Sequence, residues 1–135
     1  MSVFLEEASL TYLETAKKAF TYIESKKVQT EYGIYWSLDE STDNGAYFDE
    51  TSIYAGSAGI LYFYLQLSKV TNDNRYLKDA KEALRYIQYR WETDRDLQLA
   101  ISNWAYTSGY SGIGYVLTEL YLHTKDTSYS DFVTA

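Results

Sequence analysis

Two stretches of the sequence repeat each other and decide the fold. Residues 52–61 read Ser-Ile-Tyr-Ala-Gly-Ser-Ala-Gly-Ile-Leu, and residues 108–115 read Ser-Gly-Tyr-Ser-Gly-Ile-Gly-Tyr. Self-similarity at a fixed period is the signature of a repeat architecture. At an offset of 53 and without a gap, eight positions recur: Gly56, Gly59, Ile60, Tyr62, Leu67, Thr71, Asp73 and Tyr76 as Gly109, Gly112, Ile113, Tyr115, Leu120, Thr124, Asp126 and Tyr129.

A second match lies outward from the first, at an offset of 64. The positions that recur are Tyr12, Leu13, Ala16, Lys17, Ala19, Tyr22 and Ile23 as Tyr76, Leu77, Ala80, Lys81, Ala83, Tyr86 and Ile87. Because this match covers a different part of the unit, each repeat contains two elements.

The apolar pattern predicts that both elements are helices, buried to different extents. Leu13, Ala16, Phe20 and Ile23 form one stripe on an otherwise polar segment, which is typical of an outer helix. Residues 59–67 are apolar nearly all round, which is typical of an inner helix covered on most sides. The pattern predicts outer helices near 10–25, 74–90 and 128–135 and inner helices near 57–70 and 110–123.

Residues typical of helix N-termini support this arrangement of outer and inner helices. Thr11 followed by Glu14 fits a capping box, and Asp73 and Asp126 are suitable N-caps for the next two outer helices. Glycines mark the starts of the inner helices, where a bare backbone permits a sharp turn and close packing. A phosphate-binding role is less consistent, since the Lys-Ser/Thr of a P-loop is lacking. The repeat glycines are therefore interpreted as structural: Gly56, Gly59, Gly109 and Gly112.

Composition restricts the function. A net charge of −7 disfavours nucleic acid and anionic membranes as partners. The sequence has no cysteine and a single histidine, His123, so it lacks the ligands of an ordinary zinc site. No segment approaches the roughly 18 apolar residues of a membrane span, and we expect a cytoplasmic protein. His123 falls in the last turn of the second inner helix, where the helix dipole favours it.

The two glycine stretches, each followed by Thr-x-Asp-x-x-Tyr, resemble the repeated Gly-x-x-Gly-Ile element of lanthionine synthetase C-like proteins. The resemblance implies one α/α-toroid domain over residues 1–135, with inner helices around a central cavity and about five helices of an incomplete ring. It also implies zinc-assisted addition of a peptide thiol to dehydrated serine or threonine, whereas the eukaryotic-type relatives add glutathione. The zinc ligands of the family lie in later repeats, so we expect no cofactor in this chain.

Two features qualify the resemblance. Catalytic members carry an acidic residue shortly before the second glycine element, but no carboxylate lies between Leu97 and Gly109 here. The third outer helix is predicted to start near Ser128 and reaches Ala135 before it completes the usual three to four turns of about 11–14 residues. We therefore expect that the chain is an N-terminal fragment and that it is inactive alone. The aromatic and acidic loops preceding the inner helices are expected to line a cavity rim, and the candidate ligand-facing residues are Trp36, Asp49, Glu50, Tyr54, Trp104 and Tyr106.

Other interpretations remain open. A six-hairpin glycosidase shares the toroid architecture, and Asp49 or Glu50 with a partner in another repeat would then do acid–base work. A non-enzymatic repeat module that binds a peptide is a third interpretation. The acidic loop at 39–50 matches a calcium loop only in part and is interpreted as solvated.

Partners follow from the repeat pattern. We expect a peptide substrate, the remaining repeats of the parent protein, or self-association. Self-association would cover inner-helix residues that an open array leaves exposed: Tyr62, Leu65, Tyr115 and Leu122.

Overall fold

A computed structural model of the chain describes residues 3–37, 56–93 and 110–134. This part of the chain is mostly helical, which confirms the predicted all-α class. Helix α1 is followed by a β-hairpin, and a short 3-10 turn at Asn74–Leu77 lies between α2 and α3. The elements are α1 Val3–Glu24, β1 Lys27–Thr30, β2 Gly33–Trp36, α2 Ser57–Thr71, α3 Ala80–Thr93, α4 Tyr110–Thr124 and α5 Thr127–Thr134.

The inner helices α2 and α4 pack against each other and form the centre of the core. Burial extends around most of α2, as its apolar composition predicts, whereas α4 keeps one exposed side. Leu65 of α2 is fully buried, so the expectation that it lies on an exposed face was wrong. The reason is that α2 turns this side toward the core it shares with α4. Tyr115 and Leu122 are exposed, as expected.

The outer helices differ from the prediction at their ends. The stripe of Leu13, Ala16, Phe20 and Ile23 is the half-buried side of α1, as predicted. However, α1 begins at Val3 rather than near residue 10, so the prediction of a capping box that starts at Thr11 was wrong. Thr11 lies inside the helix, and its carbonyl oxygen accepts a 3.0 Å hydrogen bond from the Thr15 hydroxyl.

The second outer helix is also interrupted. The expected helix near 74–90 is divided into the 3-10 turn at Asn74–Leu77 and α3, which begins at Ala80. Contacts of the turn explain the division, because it packs against α2 while α3 packs against the hairpin. The 3-10 turn and α3 therefore pack against different elements.

The β-hairpin was not predicted. Its strands pair antiparallel with Lys27 opposite Trp36 and Thr30 opposite Gly33. Ile34 and Trp36 point into the core, and the second strand lies on α3. Gly33 has a φ of +127°, and a Cβ at this position would collide with the carbonyl oxygen of Glu82. The hairpin therefore requires glycine at its point of closest approach to α3.

The turn after each inner helix repeats in atomic detail. Asn72 and Lys125 both adopt left-handed backbone, with φ of 53° and 61°, at the offset of 53. The carboxylates of Asp73 and Asp126 then accept 3.0 Å hydrogen bonds from backbone N–H groups two residues later. Both predicted N-caps are confirmed.

Charge partners reinforce these caps. Hydrogen bonds from Arg75 hold the pKa of Asp73 at about 2. The pKa of Asp126 is also lowered to about 2, by Lys81 first and then by Ser128. Since Lys81 lies on α3 and Asp126 precedes α5, their 2.6 Å ion pair joins two successive outer helices.

We predict that Gly33→Ala detaches the hairpin from α3. The added methyl group meets helix backbone, which cannot rotate away, so the free energy of unfolding should fall by at least about 3 kcal/mol. Urea titration followed by tryptophan fluorescence measures the loss. Gln29→Ala, at an exposed position of the same hairpin, is the control and should change stability by less than about 0.5 kcal/mol. Equal stability of the two variants would contradict the close contact.

We predict that Asp126→Ala lowers the thermal midpoint at pH 7 by about 3–5 °C, because the α5 cap is lost. A carboxylate with a lowered pKa stabilises the fold above its ordinary pKa of about 4, and the contribution disappears as the pH falls through about 2. The midpoints of the variant and the original chain should therefore converge in acid. Circular dichroism melts at several pH values test this, with the exposed Glu14→Ala as the control.

Candidate functional site

A partly exposed aromatic surface lies on the inner helices. Tyr62 of α2 and Tyr115 of α4 are equivalent residues of the two repeats, and their ring centroids are 5.9 Å apart. Tyr64, two residues further along α2 and therefore on nearly the opposite side of the helix, contacts Phe20 of α1. Tyr62 thus lies on the side of α2 away from this outer helix. We name this surface the inner face and define it by Gly59, Tyr62, Gln66, Lys69, Tyr115, Glu119 and Leu122.

The inner face combines stacking surface with charge. The Lys69 ammonium lies 3.6 Å from the Glu119 carboxylate, so an ion pair bridges α2 and α4 at one end of the face. The side chain of Leu122 is 51% exposed and adds apolar surface. Aromatic rings with adjacent hydrogen-bonding groups suit an extended peptide, whose backbone is polar and whose side chains stack or pack.

The repeat glycines occupy different environments. Gly56 is the buried N-cap of α2, and its carbonyl oxygen accepts a 3.2 Å hydrogen bond from the Ile60 N–H. Its φ of −141° is extended backbone that any residue adopts, so this position does not need glycine for its conformation. Gly112 is buried within α4, whereas Gly59 is half-buried at the inner face. Gly109 lies outside the described residues.

Of the six predicted rim residues, Trp36 alone falls within the described residues. Trp36 is 3% exposed and packs edge-on against Tyr64, with ring centroids 5.6 Å apart. Its indole Nε1 has no hydrogen-bond partner among the described residues. Trp36 therefore lies in the core, on the inward side of the hairpin. The other five, Asp49, Glu50, Tyr54, Trp104 and Tyr106, lie outside the described residues.

A polar cluster that the sequence did not predict connects the two repeats. The buried Ser68 hydroxyl donates a 2.7 Å hydrogen bond to Oδ1 of Asn74. The same oxygen lies 3.0 Å from Nε2 of His123, which extends from the last turn of α4. Since Ser68 is buried and its proton points to the amide, the cluster is a structural connection between α2, the 3-10 turn and α4.

This cluster also tests the fit of a zinc ion. Two cysteines and a histidine are the ligand set that the resemblance implies, and the sequence contains no cysteine. Residues 3–37, 56–93 and 110–134 contain no group of three metal-ligating side chains. Nε2 of His123 is engaged with Asn74. These residues do not fit a zinc ion.

A second polar network joins the outer helices to the core. Lys27 Nζ lies 3.0 Å from Glu24 and 2.7 Å from Asp79, and the other oxygen of Glu24 accepts a 2.9 Å hydrogen bond from the Tyr64 hydroxyl. Burial, followed by this bond to Glu24, raises the pKa of Tyr64 above its ordinary value. The hydrogen bond to Asp79 raises the pKa of Lys27. Because the Lys27 ammonium group binds both carboxylates, the network links the end of α1, the start of the hairpin and the residue before α3.

The comparison with family models gives one result. The model of lanthionine synthetase C-like proteins matches residues 47–134, about two thirds of the chain. The chain belongs to the lanthionine synthetase C-like family. This assignment confirms the resemblance carried by the glycine repeats, and the family fold is an α/α toroid.

Within this lanthionine synthetase C-like chain, α2 and α4 carry Gly59 and Gly112 of the two glycine elements, and the inner face lies on these helices. Neither the search of curated proteins nor the search of solved structures returns a match. None of the helices in the described ranges has the length and apolar character needed to cross a bilayer.

Sequence reasoning found some of these groups and missed others. Recurrence at the offset of 53 marked Tyr62 and Tyr115 as equivalent positions, but it did not predict that their rings lie together. The contacts of Lys27 with Asp79 and of Asn74 with His123 join residues that are 52 and 49 positions apart. No local pattern predicts such pairs.

We predict that Lys27→Met lowers the free energy of unfolding by about 2 kcal/mol, because two largely buried carboxylates lose their shared counter-charge. The raised pKa of Lys27 means that its contribution is complete below about pH 10.4 and decreases as the pH rises further. The loss should therefore be constant across neutral pH. Urea titration at several pH values measures it.

The matched control for this prediction is Lys69→Met. Its ion pair with Glu119 is longer and more exposed, so the cost should be below about 1 kcal/mol. A Lys27→Met effect no larger than that of Lys69→Met would show that the network does not hold the elements together.

Proposed function

We propose that this chain forms N-terminal repeats of a lanthionine synthetase C-like toroid and supplies part of the wall that holds the peptide substrate. In this role it is scaffold and cavity surface. The inner face contacts the peptide, and the groups that carry out thioether formation come from other repeats of the parent protein.

The chemistry of the family reaction supports this division. Zinc lowers the thiol pKa so that thiolate attacks a dehydrated residue near neutral pH. The sequence has no cysteine to hold the ion, and His123 is engaged with Asn74. We therefore derive no catalytic step for these residues. What the chain offers is a surface with two equivalent tyrosines, an amide and an ion pair.

The observation that carries the proposal is the pairing of Tyr62 with Tyr115. Tyr62 is half-buried and Tyr115 is exposed, although neighbouring residues of α2 such as Leu61 and Tyr64 are buried. Recurrence at the offset of 53 places the rings side by side, 5.9 Å apart. A peptide chain lying across the two helices would contact both rings, and each contact is worth about 0.5–1.5 kcal/mol.

We predict that Tyr62→Ala and Tyr115→Ala each weaken binding of a dehydrated precursor peptide by about fivefold, the loss expected for one aromatic contact of about 1 kcal/mol. The probe is a fluorescein-labelled linear peptide that contains one dehydroalanine and one cysteine. Fluorescence anisotropy with the full chain measures the dissociation constant.

Tyr22→Ala is the matched control, because this tyrosine is exposed near the C-terminal end of α1. Binding unaffected by either inner-face variant would overturn the assignment of this surface. Competition by an unlabelled oligosaccharide, in place of an unlabelled peptide, would favour the glycosidase-like alternative.

The complete parent protein tests the reaction itself. Thioether formation leaves the peptide mass unchanged but removes the thiol, so treatment with iodoacetamide distinguishes product from substrate by mass spectrometry. We expect the parent to protect the thiol from alkylation and the isolated chain not to do so. A parent protein that leaves the thiol reactive would contradict the proposed activity.

A further inference from the structure

Two tyrosine rings at the tip of the hairpin lie face to face. Tyr32, in the turn between the strands, and Tyr89, near the end of α3, have ring centroids 3.7 Å apart and ring planes inclined by 1°. Tyr32 is 41% exposed and Tyr89 is half-buried. A centroid distance close to the carbon–carbon contact distance means that the rings overlap almost completely. We name Tyr32 and Tyr89 the stacked pair.

The position of the hairpin on α3 imposes this arrangement. Aromatic rings prefer an offset or edge-on contact to a face-to-face sandwich, so ring attraction alone does not explain it. Gly33, the residue after Tyr32, lies directly on the α3 backbone, where an added Cβ would be 2.8 Å from the Tyr86 amide nitrogen. Because the hairpin approaches the helix so closely here, the adjacent Tyr32 ring is held over Tyr89.

Other tyrosine pairs lack this combination of contact and exposure. The rings of Tyr35 and Tyr86 are 4.7 Å apart and inclined by 21°, and Tyr86 is 7% exposed. The rings of Tyr62 and Tyr115 are 5.9 Å apart and inclined by 44°. The carbons of the stacked pair are therefore the ones that can meet without movement of the backbone.

The hydroxyl groups of the stacked pair lie at the same end of the rings. The Glu31 carboxylate is the main cause of the raised pKa of Tyr32, and hydrogen bonding with the Tyr89 phenol contributes to the same shift. This contribution requires the two hydroxyl groups to be neighbours. The ortho carbon atoms, which adjoin the hydroxyl-bearing carbon in each ring, therefore also lie opposite each other.

Phenols in this arrangement are suited to oxidative coupling. Loss of one electron and the hydroxyl proton converts a tyrosine to a phenoxyl radical, whose unpaired electron is shared between the oxygen and the ortho carbons. Two such radicals combine through a bond between an ortho carbon, Cε, of each ring. The hydrogen on each bonded carbon then moves to the phenol oxygen. The product, dityrosine, has two hydrogens fewer than the two tyrosines.

We propose that Tyr32 and Tyr89 form a site of oxidative modification, at which a dityrosine cross-link joins the turn of the hairpin to α3. The oxidant is hydrogen peroxide, acting through a haem peroxidase. One peroxide molecule accepts two electrons and two protons from the two phenols and is reduced to two molecules of water. The site is separate from the inner face and does not depend on peptide binding.

The exposure of Tyr32 serves both oxidation steps. Oxidation of this ring releases its hydroxyl proton beside the Glu31 carboxylate, which is exposed and passes the proton to solvent. The Tyr32 radical then takes an electron from Tyr89 through the ring contact and a proton from the neighbouring hydroxyl. Tyr32 is thereby restored and is oxidised a second time, so that both rings become radicals while in contact.

The cross-link would fix the hairpin on α3. A bond between residues 32 and 89 closes a long loop and removes conformational freedom from the unfolded chain, as a disulfide does. We expect the thermal midpoint of the cross-linked chain to be higher by at least about 5 °C.

The test is treatment of the full chain with a haem peroxidase and a limiting amount of hydrogen peroxide. The monomer is isolated under denaturing conditions, and its dityrosine is measured by fluorescence. After protease digestion, mass spectrometry should find a linked pair of peptides that contain Tyr32 and Tyr89, lighter by two hydrogens than their sum. Tyr32→Phe keeps the ring but cannot form a phenoxyl radical, so the fluorescence of the monomer should fall at least about fivefold.

Tyr22→Phe is the matched control. This variant removes a tyrosine that is 58% exposed, more than Tyr32, and it should leave the fluorescence of the monomer unchanged. Oxidation in urea that unfolds the chain should abolish the selectivity for Tyr32 and Tyr89. Absence of dityrosine from the monomer, cross-links only between other tyrosines, or equal fluorescence in Tyr32→Phe would overturn the proposal. Loss of peptide binding at the inner face would leave these results unchanged, so the two proposals fail separately.

Discussion

The buried hydroxyl of Tyr64 must have a hydrogen-bond partner, and the arrangement of the first repeat depends on how it finds one. Glu24, at the last residue of α1, accepts this bond and also binds Lys27 at the start of the hairpin. Lys27 in turn binds Asp79, immediately before α3. One chain of contacts therefore fixes α1, the hairpin, α2 and α3 relative to one another. An unpartnered hydroxyl or a lone carboxylate here would oppose folding, because buried polar groups are costly when unsatisfied.

Much of this architecture is predictable from sequence, because repetition reveals residues that packing requires. The recurrence of Asp73 as Asp126 predicted two caps correctly, and the stripe through Phe20 predicted the buried side of α1. The hairpin was not predictable in this way. Its strands have four residues each, and they are stabilised by α3, which is distant in sequence. The start of α1 was placed wrongly because Thr11 resembles a cap but bonds within the helix. For the site, repetition marked Tyr62 and Tyr115 as equivalent positions, but their contact across the two helices, like the burial of Trp36, required the fold.

Family membership accounts for the fold of this chain, whereas the contacts of individual side chains show what each residue does. Membership in the lanthionine synthetase C-like family rests on residues 47–134 and accounts for the helical repeats. The described side chains have a narrower role, since they position the inner helices and present Tyr62 and Tyr115. The connection between Ser68, Asn74 and His123 illustrates the difference. It contains residue types found in catalytic sites, but burial of Ser68 and the engagement of His123 with Asn74 make it a link between successive repeats.

The position of the hairpin has a consequence for synthesis on the ribosome. It precedes α3 in the chain, yet it packs against α3, so roughly fifty further residues must be translated before its apolar side is covered. At typical elongation rates of about 5–20 residues per second, Ile34 and Trp36 remain uncovered for several seconds. During that interval the two short strands lack the support that an isolated hairpin needs. The first repeat of this array is thus completed only after the second repeat has been synthesised.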